Sequence, residues 1–206
     1  MKSVMSVAIA FGLLMTAAAI PAVAAPHEDN TQTAELYELQ AAFHRAGSVH
    51  DNVNGDSADV ITQRIRYMLS LWTRDGVFVI AVGGAADGNY IGNGDPDDPA
   101  TCPEPSNNKN NRGTLCTLFK YVSGSFQPAN KLISLSPSYK TSFDIEGDLA
   151  ALYFECHYFN VAIDPTTTKP LWTAVSHVNF NGLARKVHGE WKFAYSVAAV
   201  PPVPLP

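Results

Sequence analysis

The sequence predicts an α+β domain in which a strongly curved antiparallel sheet forms a conical barrel, with three helices on its concave face. Helical periodicity is confined to the first half of the 206-residue chain, whereas the second half is almost entirely strand-like. Short turns join the consecutive strands of the second half, as in a meander. Helices followed by a run of antiparallel strands are typical of α+β domains.

Composition and charge exclude several classes of protein. Apolar residues make up 46% of the chain and charged residues 16%, whereas disordered chains combine few apolar residues with high charge. The formal net charge of −5 argues against a protein that binds nucleic acid or an anionic membrane. We therefore expect a folded domain that binds neither nucleic acid nor an anionic membrane.

Residues 1–24 have the pattern of a secretory signal peptide. Lys2 is followed by an almost wholly apolar run over 7–20 and by small residues at Ala22 and Ala24, with cleavage expected after Ala24. The apolar run is short for a bilayer span of about 20 residues, so an uncleaved anchor is the disfavoured alternative. We expect a secreted or periplasmic protein in which residues 25–32 form a polar tail.

Three segments carry apolar residues at helical spacing. The first begins at an N-cap at Thr33 and ends at Gly47. The second follows an N-cap at Ser57 and extends to Trp72, and the third covers 113–122. These segments predict the three helices of the domain.

The predicted strands follow in order. A turn at 75–76 precedes a strand at 77–82, and the sheet continues at 132–145, 150–161, 171–187 and 190–200. His188-Gly189 is a tight turn between the last two strands. Residues 201–206 form a proline-rich tail.

Residues 83–112 are expected to form a long loop insertion, with only a short strand at 89–91. Three acidic residues of this loop could ligate calcium: Asp95, Asp97 and Asp98. They lack the spacing and the closing glutamate of an EF-hand, so a solvated acidic turn is favoured.

Three cysteines fit an oxidising compartment. Cys102 and Cys116 flank a stretch rich in Pro, Asn and Gly, and a disulfide that closes this loop would stabilise the fold by roughly 3 kcal/mol. Cys156 lies in a strand-like run and is predicted to be a small buried thiol.

Three motifs in order resemble SnoaL-like domains of the nuclear transport factor two-like, or cystatin-like, superfamily. They are the helix-to-strand junction Leu71–Val79, the turn Glu146–Ala150 and the final hairpin Arg185–Phe193. The resemblance covers residues 33–200. It implies a conical pocket for a small apolar ligand and a homodimer formed through the convex sheet, and relatives include ketosteroid isomerases, polyketide cyclases and scytalone dehydratases.

The chain departs from that family at the expected acid–base positions. Where dehydratase-like members carry Tyr and Asp on the first helix, this chain has Phe43 and Ser48. His44 lies about 100° round the helix from Phe43 and is not expected to replace them. On the penultimate strand, Asn179 and Asn181 stand where relatives carry Tyr and Asp, and amides can hold an oxygen but cannot exchange its proton.

The candidate site rests on strand alternation combined with the resemblance. His177, Asn179, Asn181 and Leu183 share one strand face, and the resemblance directs that face into the cone. His177 is then the candidate catalytic proton carrier. The alternatives are that His177 is a structural histidine whose hydrogen bonds are satisfied, or that its strand face points away from the cone. The narrow end of the cone should be closed by apolar ligand-binding residues, namely Phe43, Ile65 and Met68.

A second polar group lies on the preceding strand. Glu155 and His157 share the less apolar face of that strand, which we expect on the convex side, where a second subunit would pack. The alternative is that they form a proton-transfer pair. Neither a nucleotide-binding motif nor zinc-ligand spacing occurs, so no cofactor and no metal are expected.

Two functions follow from the sequence. The first is a cofactor-independent lyase or isomerase that acts on a small, mostly apolar cyclic molecule. The second is a non-catalytic module that binds such a molecule without a reaction. The presence or absence of a titratable side chain inside the cone discriminates between them.

Overall fold

The computed structural model describes residues 30–48, 57–82, 85–103, 111–125, 131–164, 166–167 and 169–200. The helices in these ranges are α1 (Asn30–Ala46), α2 (Ala58–Ser70) and α3 (Leu115–Ser125). The strands are β1 (Trp72–Val82), β2 (Ala85–Ile91), β3 (Asn111–Gly113), β4 (Lys131–Leu135), β5 (Lys140–Glu146), β6 (Leu149–Ile163), β7 (Pro170–Val187) and β8 (Glu190–Val200). The predicted signal peptide and proline-rich tail lie outside the described residues.

All eight described strands belong to one mostly antiparallel sheet. Its order is β3-β2-β1-β8-β7-β6-β4, and β5 pairs with β6 on the same edge as β4. β1 is parallel to β8 and β2 is parallel to β3, whereas the other pairs are antiparallel. The α+β class is confirmed, and the described strands form an open, curved sheet rather than a closed barrel.

The starts of the first two helices agree with the prediction to different degrees. The side chain of Ser57 accepts a hydrogen bond from the backbone of Val60, which confirms the predicted cap of α2. By contrast, α1 begins at Asn30 rather than Thr33, because polar residues before the apolar stripe also adopt helical backbone. The predicted polar tail and α1 therefore overlap.

The strand boundaries correct the prediction in three places. Trp72 begins β1 instead of ending α2, and it pairs with Phe193 before the register shifts at the predicted 75–76 turn. The predicted strand 132–145 is two strands, β4 and β5, separated by a segment that contains Pro137, which has no backbone N–H to give. The predicted loop 83–112 contains β2 and β3.

The predicted disulfide between Cys102 and Cys116 is confirmed, and both residues are fully buried. Cys156 is a buried free thiol, as predicted, and burial raises its pKa to about 12. The three acidic residues of the loop interact locally. Asp97 pairs with Arg66, whereas Asp95 and Asp98 accept hydrogen bonds from backbone N–H groups of their own loop.

The three helices pack on one face of the sheet, which we call the helix face. Its buried strand residues include Phe154, Val178, Phe180 and Phe193, and they form one hydrophobic core with the helices. The opposite, outer face carries Glu155, His157 and His177. Within the described residues, no helix is both long enough and apolar enough to span a membrane.

Candidate functional site

One stripe of α1 lies against the sheet. Leu36, Leu39, Gln40, Phe43 and His44 are all buried, each three or four residues from another member of the stripe. A helix that covers a sheet buries a stripe about 100° wide. The stripe therefore includes His44 as well as Phe43.

Aromatic side chains fill the core beneath α1. The rings of Phe154 and Phe180 stack with centroids 4.6 Å apart and planes 15° apart. The ring of Phe43 meets Phe180 and Phe193 edge-on, at centroid distances of 5.5 and 5.4 Å. Edge-to-face and stacked pairs are the favoured arrangements of aromatic rings. Phe43, Ile65 and Met68 are each at least 95% buried and belong to the hydrophobic core, and their predicted contact with a ligand stays a prediction.

His44 is a titratable side chain in this core. It is 6% exposed, and its ring centroid lies 5.6 Å from that of Phe154. Burial lowers its pKa from 6.5 to about 4, although a hydrogen bond to the backbone of Ser136 opposes the shift. The imidazole is therefore neutral at pH 7, because the charged form is poorly solvated in this environment.

The two ring nitrogens of His44 differ. A hydrogen bond that raises a histidine pKa is donated by the ring, and Nε2 has no hydrogen-bond partner, so we infer that Nδ1 is the nitrogen that donates to the backbone of Ser136. That bond places the proton on Nδ1 and leaves Nε2 as an acceptor. A buried acceptor without a partner is costly and requires an explanation.

Hydrogen bonds join α1 to the segment between β4 and β5. The amide Nε2 of Gln40 donates to the hydroxyl of Ser138 and, at 3.3 Å, to Oγ1 of Thr141. Ser48 Oγ donates to the carbonyl of His44 at 2.8 Å and accepts from the backbone N–H of Leu135 at 2.9 Å. These contacts hold the backbone on both sides of His44.

The structure corrects the predicted position of His177. Val178 and Phe180 are 4% exposed and belong to the helix face, so His177, Asn179, Asn181 and Leu183 lie on the outer face. The pairing of β6 with β7 agrees, because His157 lies directly opposite His177 and Glu155 opposite Asn179. The four predicted residues of the penultimate strand are therefore not in the core with Phe43.

Glu155 is the centre of the outer-face cluster. Its Oε1 accepts a hydrogen bond from the Tyr153 hydroxyl and lies 3.0 Å from Nζ of Lys140, and its Oε2 lies 3.1 Å from Nε2 of His177. The carboxylate side chain is only 12% exposed. The Tyr153 hydroxyl, followed by Lys140 and His177, lowers the pKa of Glu155 to about 2. Glu155 is therefore ionised throughout the physiological range.

The two histidines of the cluster lie under one tyrosine. The ring centroid of Tyr139 is 5.0 Å from that of His157 and 5.9 Å from that of His177. The two imidazole centroids are 6.3 Å apart. Oδ1 of Asn179 is buried beside this cluster and has no hydrogen-bond partner. Sequence analysis singled out Glu155, His157, His177 and Asn179, but it did not bring Glu155 and His177 together and did not identify Tyr139, Lys140 or Tyr153.

A surface cavity of about 350 Å³ lies between α1, the end of α2 and the start of β8. Its lining includes Leu39, Ala42, Leu71, Trp191 and Lys192. None of the site residues predicted from the sequence lines this cavity. Among the described residues, no group of three or more His, Cys, Asp or Glu is arranged to hold a metal ion.

His44 is the interior residue that sequence analysis missed. The signal that could have found it is the spacing of Leu36, Gln40 and His44, which places His44 two turns after a core leucine on the same stripe. We dismissed His44 because it lies about 100° from Phe43. A buried helix stripe is wide enough to contain both residues.

No model of a known protein family matches the chain, and neither does any curated protein sequence. Solved structures do match it. A candidate dehydratase of the NTF2-like family from Streptomyces avermitilis is 13% identical, with a TM-score of 0.54 and coverage of 83% of this chain and 97% of that one. A candidate scytalone dehydratase from Novosphingobium aromaticivorans is 10% identical, with a TM-score of 0.53 and coverage of 83% and 85%.

A third similar structure is a type 2 hexachlorocyclohexane dehydrochlorinase. It is 8% identical, with a TM-score of 0.51 and coverage of 83% of this chain and 86% of that one. Identities this low describe the fold and not the reaction. The order of helices and strands, the mostly antiparallel sheet and these matches agree: the chain has the NTF2-like, cystatin-like fold.

Proposed function

We propose that the chain binds a small, mostly apolar cyclic molecule on the helix face of its sheet, and that Nε2 of His44 accepts a hydrogen bond from a hydroxyl group of that ligand. The observation that carries this proposal is the buried acceptor nitrogen of His44, which has no partner in the protein. A ligand hydroxyl would satisfy that nitrogen. The aromatic rings of Phe43 and Phe154 lie beside His44 and would offer apolar contacts.

The ligand has to displace side chains in order to enter. Nε2 of His44 is sealed from solvent, so a hydroxyl reaches it only when neighbouring groups move. The segment between β4 and β5 is the candidate, because its Ser138 accepts a hydrogen bond from Gln40 of α1 and the backbone of its Ser136 is hydrogen-bonded to His44. Apolar ligands commonly occupy largely apolar sites with a few polar groups that fix their orientation.

A cofactor-independent lyase or isomerase is the second candidate. It is favoured by His44, a titratable side chain in the core. A titratable side chain inside the cone is the feature expected of an enzyme and not of a module that only binds its ligand. In an elimination, Nε2 of His44 would remove a proton from a carbon, the electron pair would form the double bond, and the leaving group would depart with its bonding pair. A pKa of about 4 makes His44 a weak base at pH 7, so binding is the better supported function.

A matched pair of probes tests the binding proposal. Calorimetry should show that 1-naphthol binds more tightly than 1-methoxynaphthalene, because only the naphthol can donate to Nε2. In His44→Phe that advantage should be lost, a change of about 1–3 kcal/mol. His157→Phe, the same change on the outer face, should preserve it.

Two outcomes would contradict the binding proposal. The first is equal affinity of the wild-type protein for the two probes, and the second is an undiminished preference for naphthol in a folded His44→Phe variant. Catalysis is tested separately by deuterium exchange at the acidic carbon of 2-tetralone. Exchange that the wild-type protein accelerates and His44→Phe does not would support the lyase or isomerase.

A further inference from the structure

The surface cavity between α1, the end of α2 and the start of β8 is separate from the site around His44. Its volume of about 350 Å³ lies within the range of small-molecule pockets, which is about 300–1,000 Å³. Neither His44 nor Phe43 lines this cavity, although all three elements that form it also contribute to the core. The cavity can therefore hold a ligand of its own.

Trp191 forms one wall of this cavity and carries a hydrogen-bond donor that lacks an acceptor. The residue is 6% exposed, and its indole Nε1–H has no hydrogen-bond partner among the described residues. Nζ of Lys186 lies 5.4 Å from the centroid of the indole ring and 2.9 Å from Oε2 of Glu35, so the ring is held between charged groups. A buried N–H without an acceptor is costly. An oxygen atom of a ligand would remove that cost.

The charged side chains that line the cavity balance one another. Glu35 is already paired with Lys186. The remaining charged groups of the lining are two carboxylates and two cations, namely Glu38, Glu190, Arg45 and Lys192. Such a lining is complementary to a ligand that carries one positive and one negative charge, whereas a ligand with a single charge would leave half of the lining unmatched.

Three of these four charged groups are available to a ligand. The pair of Arg45 and Glu38 is loose, because its N–O distance is 3.9 Å and both side chains are mostly exposed. Exposed pairs of this kind contribute little to stability, so a ligand can replace them. Lys192 is held more firmly, since its Nζ donates to the carbonyl of Ser70 at 2.9 Å and lies 3.4 Å from the mostly exposed Glu190.

We propose that this cavity binds a free α-amino acid with an apolar side chain. The indole N–H of Trp191 and the guanidinium of Arg45 donate to its carboxylate, because a guanidinium matches a carboxylate with two parallel hydrogen bonds. The two exposed glutamates of the lining accept from its ammonium group. The apolar side chain of the ligand contacts the apolar part of the lining, namely Leu39, Ala42 and Leu71. This function goes beyond the binding of a cyclic molecule at His44 and does not depend on it.

Calorimetry with L-leucine at pH 7 tests the proposal. The wild-type protein should bind L-leucine at least about tenfold more tightly than leucinamide, which lacks the carboxylate, or N-acetylleucine, which lacks the ammonium group. Arg45→Gln should weaken the binding of L-leucine by about tenfold. Arg66→Gln is the matched control, because it removes a similarly exposed arginine of another ion pair, and it should leave the affinity unchanged.

Nuclear magnetic resonance of the indole N–H groups locates the bound leucine. The Nε1–H resonance of Trp191, assigned by its loss in Trp191→Phe, should move downfield as L-leucine is added, because the N–H gains an acceptor. The resonance of Trp72, whose indole lies in the aromatic core, should stay in place.

Four results would overturn the proposal. They are no binding of L-leucine by the wild-type protein at millimolar concentration, undiminished binding by Arg45→Gln, a Trp191 resonance that leucine does not move, and equal affinity for leucine and either derivative. Equal affinity for leucinamide would indicate that the site takes the amino end of a peptide, and equal affinity for N-acetylleucine would indicate the carboxyl end.

Discussion

His44 combines burial with a hydrogen bond to the backbone of Ser136. Its Nε2 lies in the core without a partner. A histidine that stays neutral in the folded protein makes the free energy of unfolding depend on pH, because the unfolded chain binds a proton that the folded chain does not bind. The dependence follows from burial and would exist with or without a ligand.

We therefore expect the free energy of unfolding to fall as the pH falls from 6.5 towards 4. The folded pKa of His44 is about 4 and the ordinary value is 6.5, so the unfolded state takes up the proton first. The loss attributable to this residue at pH 4 is about 3 kcal/mol. Urea unfolding at pH 7 and pH 4 measures it, and His44→Phe should lose that much less than the wild type. Equal losses in the two proteins would show that His44 titrates normally.

Glu155 shows the opposite case, a carboxylate stabilised in its charged form. The Tyr153 hydroxyl is the largest cause of its lowered pKa, so Tyr153→Phe should shift the titration of Glu155 upward from about 2 towards 4.5. Carbon-detected NMR of the Glu155 carboxyl group measures the midpoint. Tyr37→Phe, a tyrosine on α1, is the control and should leave the midpoint unchanged. An unmoved midpoint in Tyr153→Phe would assign the shift to Lys140 instead.

At the scale of elements, β7 and β8 approach each other closely at Gly182, beside a break in their register. The register shifts between Leu183 and Ala184, and Gly182 lies just before the shift, opposite Ser196. A Cβ atom on Gly182 would lie 2.3 Å from the carbonyl oxygen of Tyr195. The strands can approach this closely because residue 182 has no side chain.

Gly182→Ala should consequently destabilise the domain by about 1–3 kcal/mol, because the added methyl group meets backbone that cannot rotate away. Chemical denaturation measures the change. Gly147→Asn is the matched control, since Gly147 has a positive φ that asparagine tolerates and open space around it. A neutral Gly182→Ala would mean that β7 and β8 separate at this point without cost.

At the scale of the whole molecule, the disulfide and the apolar leader point to the same compartment. Cys102 and Cys116 are bonded, and disulfides persist in oxidising environments. Residues 1–24 have the pattern of a secretory signal peptide. We propose that the protein is exported and is secreted or periplasmic.

The mass of the exported protein checks this proposal. After expression in an exporting cell, the chain should begin at Ala25 and should contain one alkylatable thiol once it is unfolded without reductant. That thiol is Cys156, because Cys102 and Cys116 are bonded to each other. A chain that retains residues 1–24, or one with three alkylatable thiols, would contradict the prediction.

Local pattern was sufficient for most of the architecture. The spacing of Leu36, Leu39 and Phe43 predicted α1, and Ser57 predicted the start of α2. The two cysteines that flank a stretch rich in turn-forming residues predicted the disulfide. The two helices depend on residues a few positions apart, and the disulfide depends on one pair of cysteines. A single sequence is therefore enough to predict them. Glu155, His157 and His177 of the outer-face cluster could also be identified as polar members of two strands.

What the sequence could not supply is which side of a strand faces the helices. Alternation divides the residues of β7 between two strand faces, but it does not say which face is buried. The family resemblance led us to expect the face of His177 in the interior. The packing of aromatic side chains determines which face of β7 is buried. Phe180 stacks on Phe154 and meets Phe43 edge-on, so His177 and the residues that share its strand face point outward. The same packing buried His44 and left its Nε2 without a partner. Residue burial and cross-strand register depend on contacts between residues that are far apart in the chain. These contacts form only when the strands pair and the helices pack on the sheet.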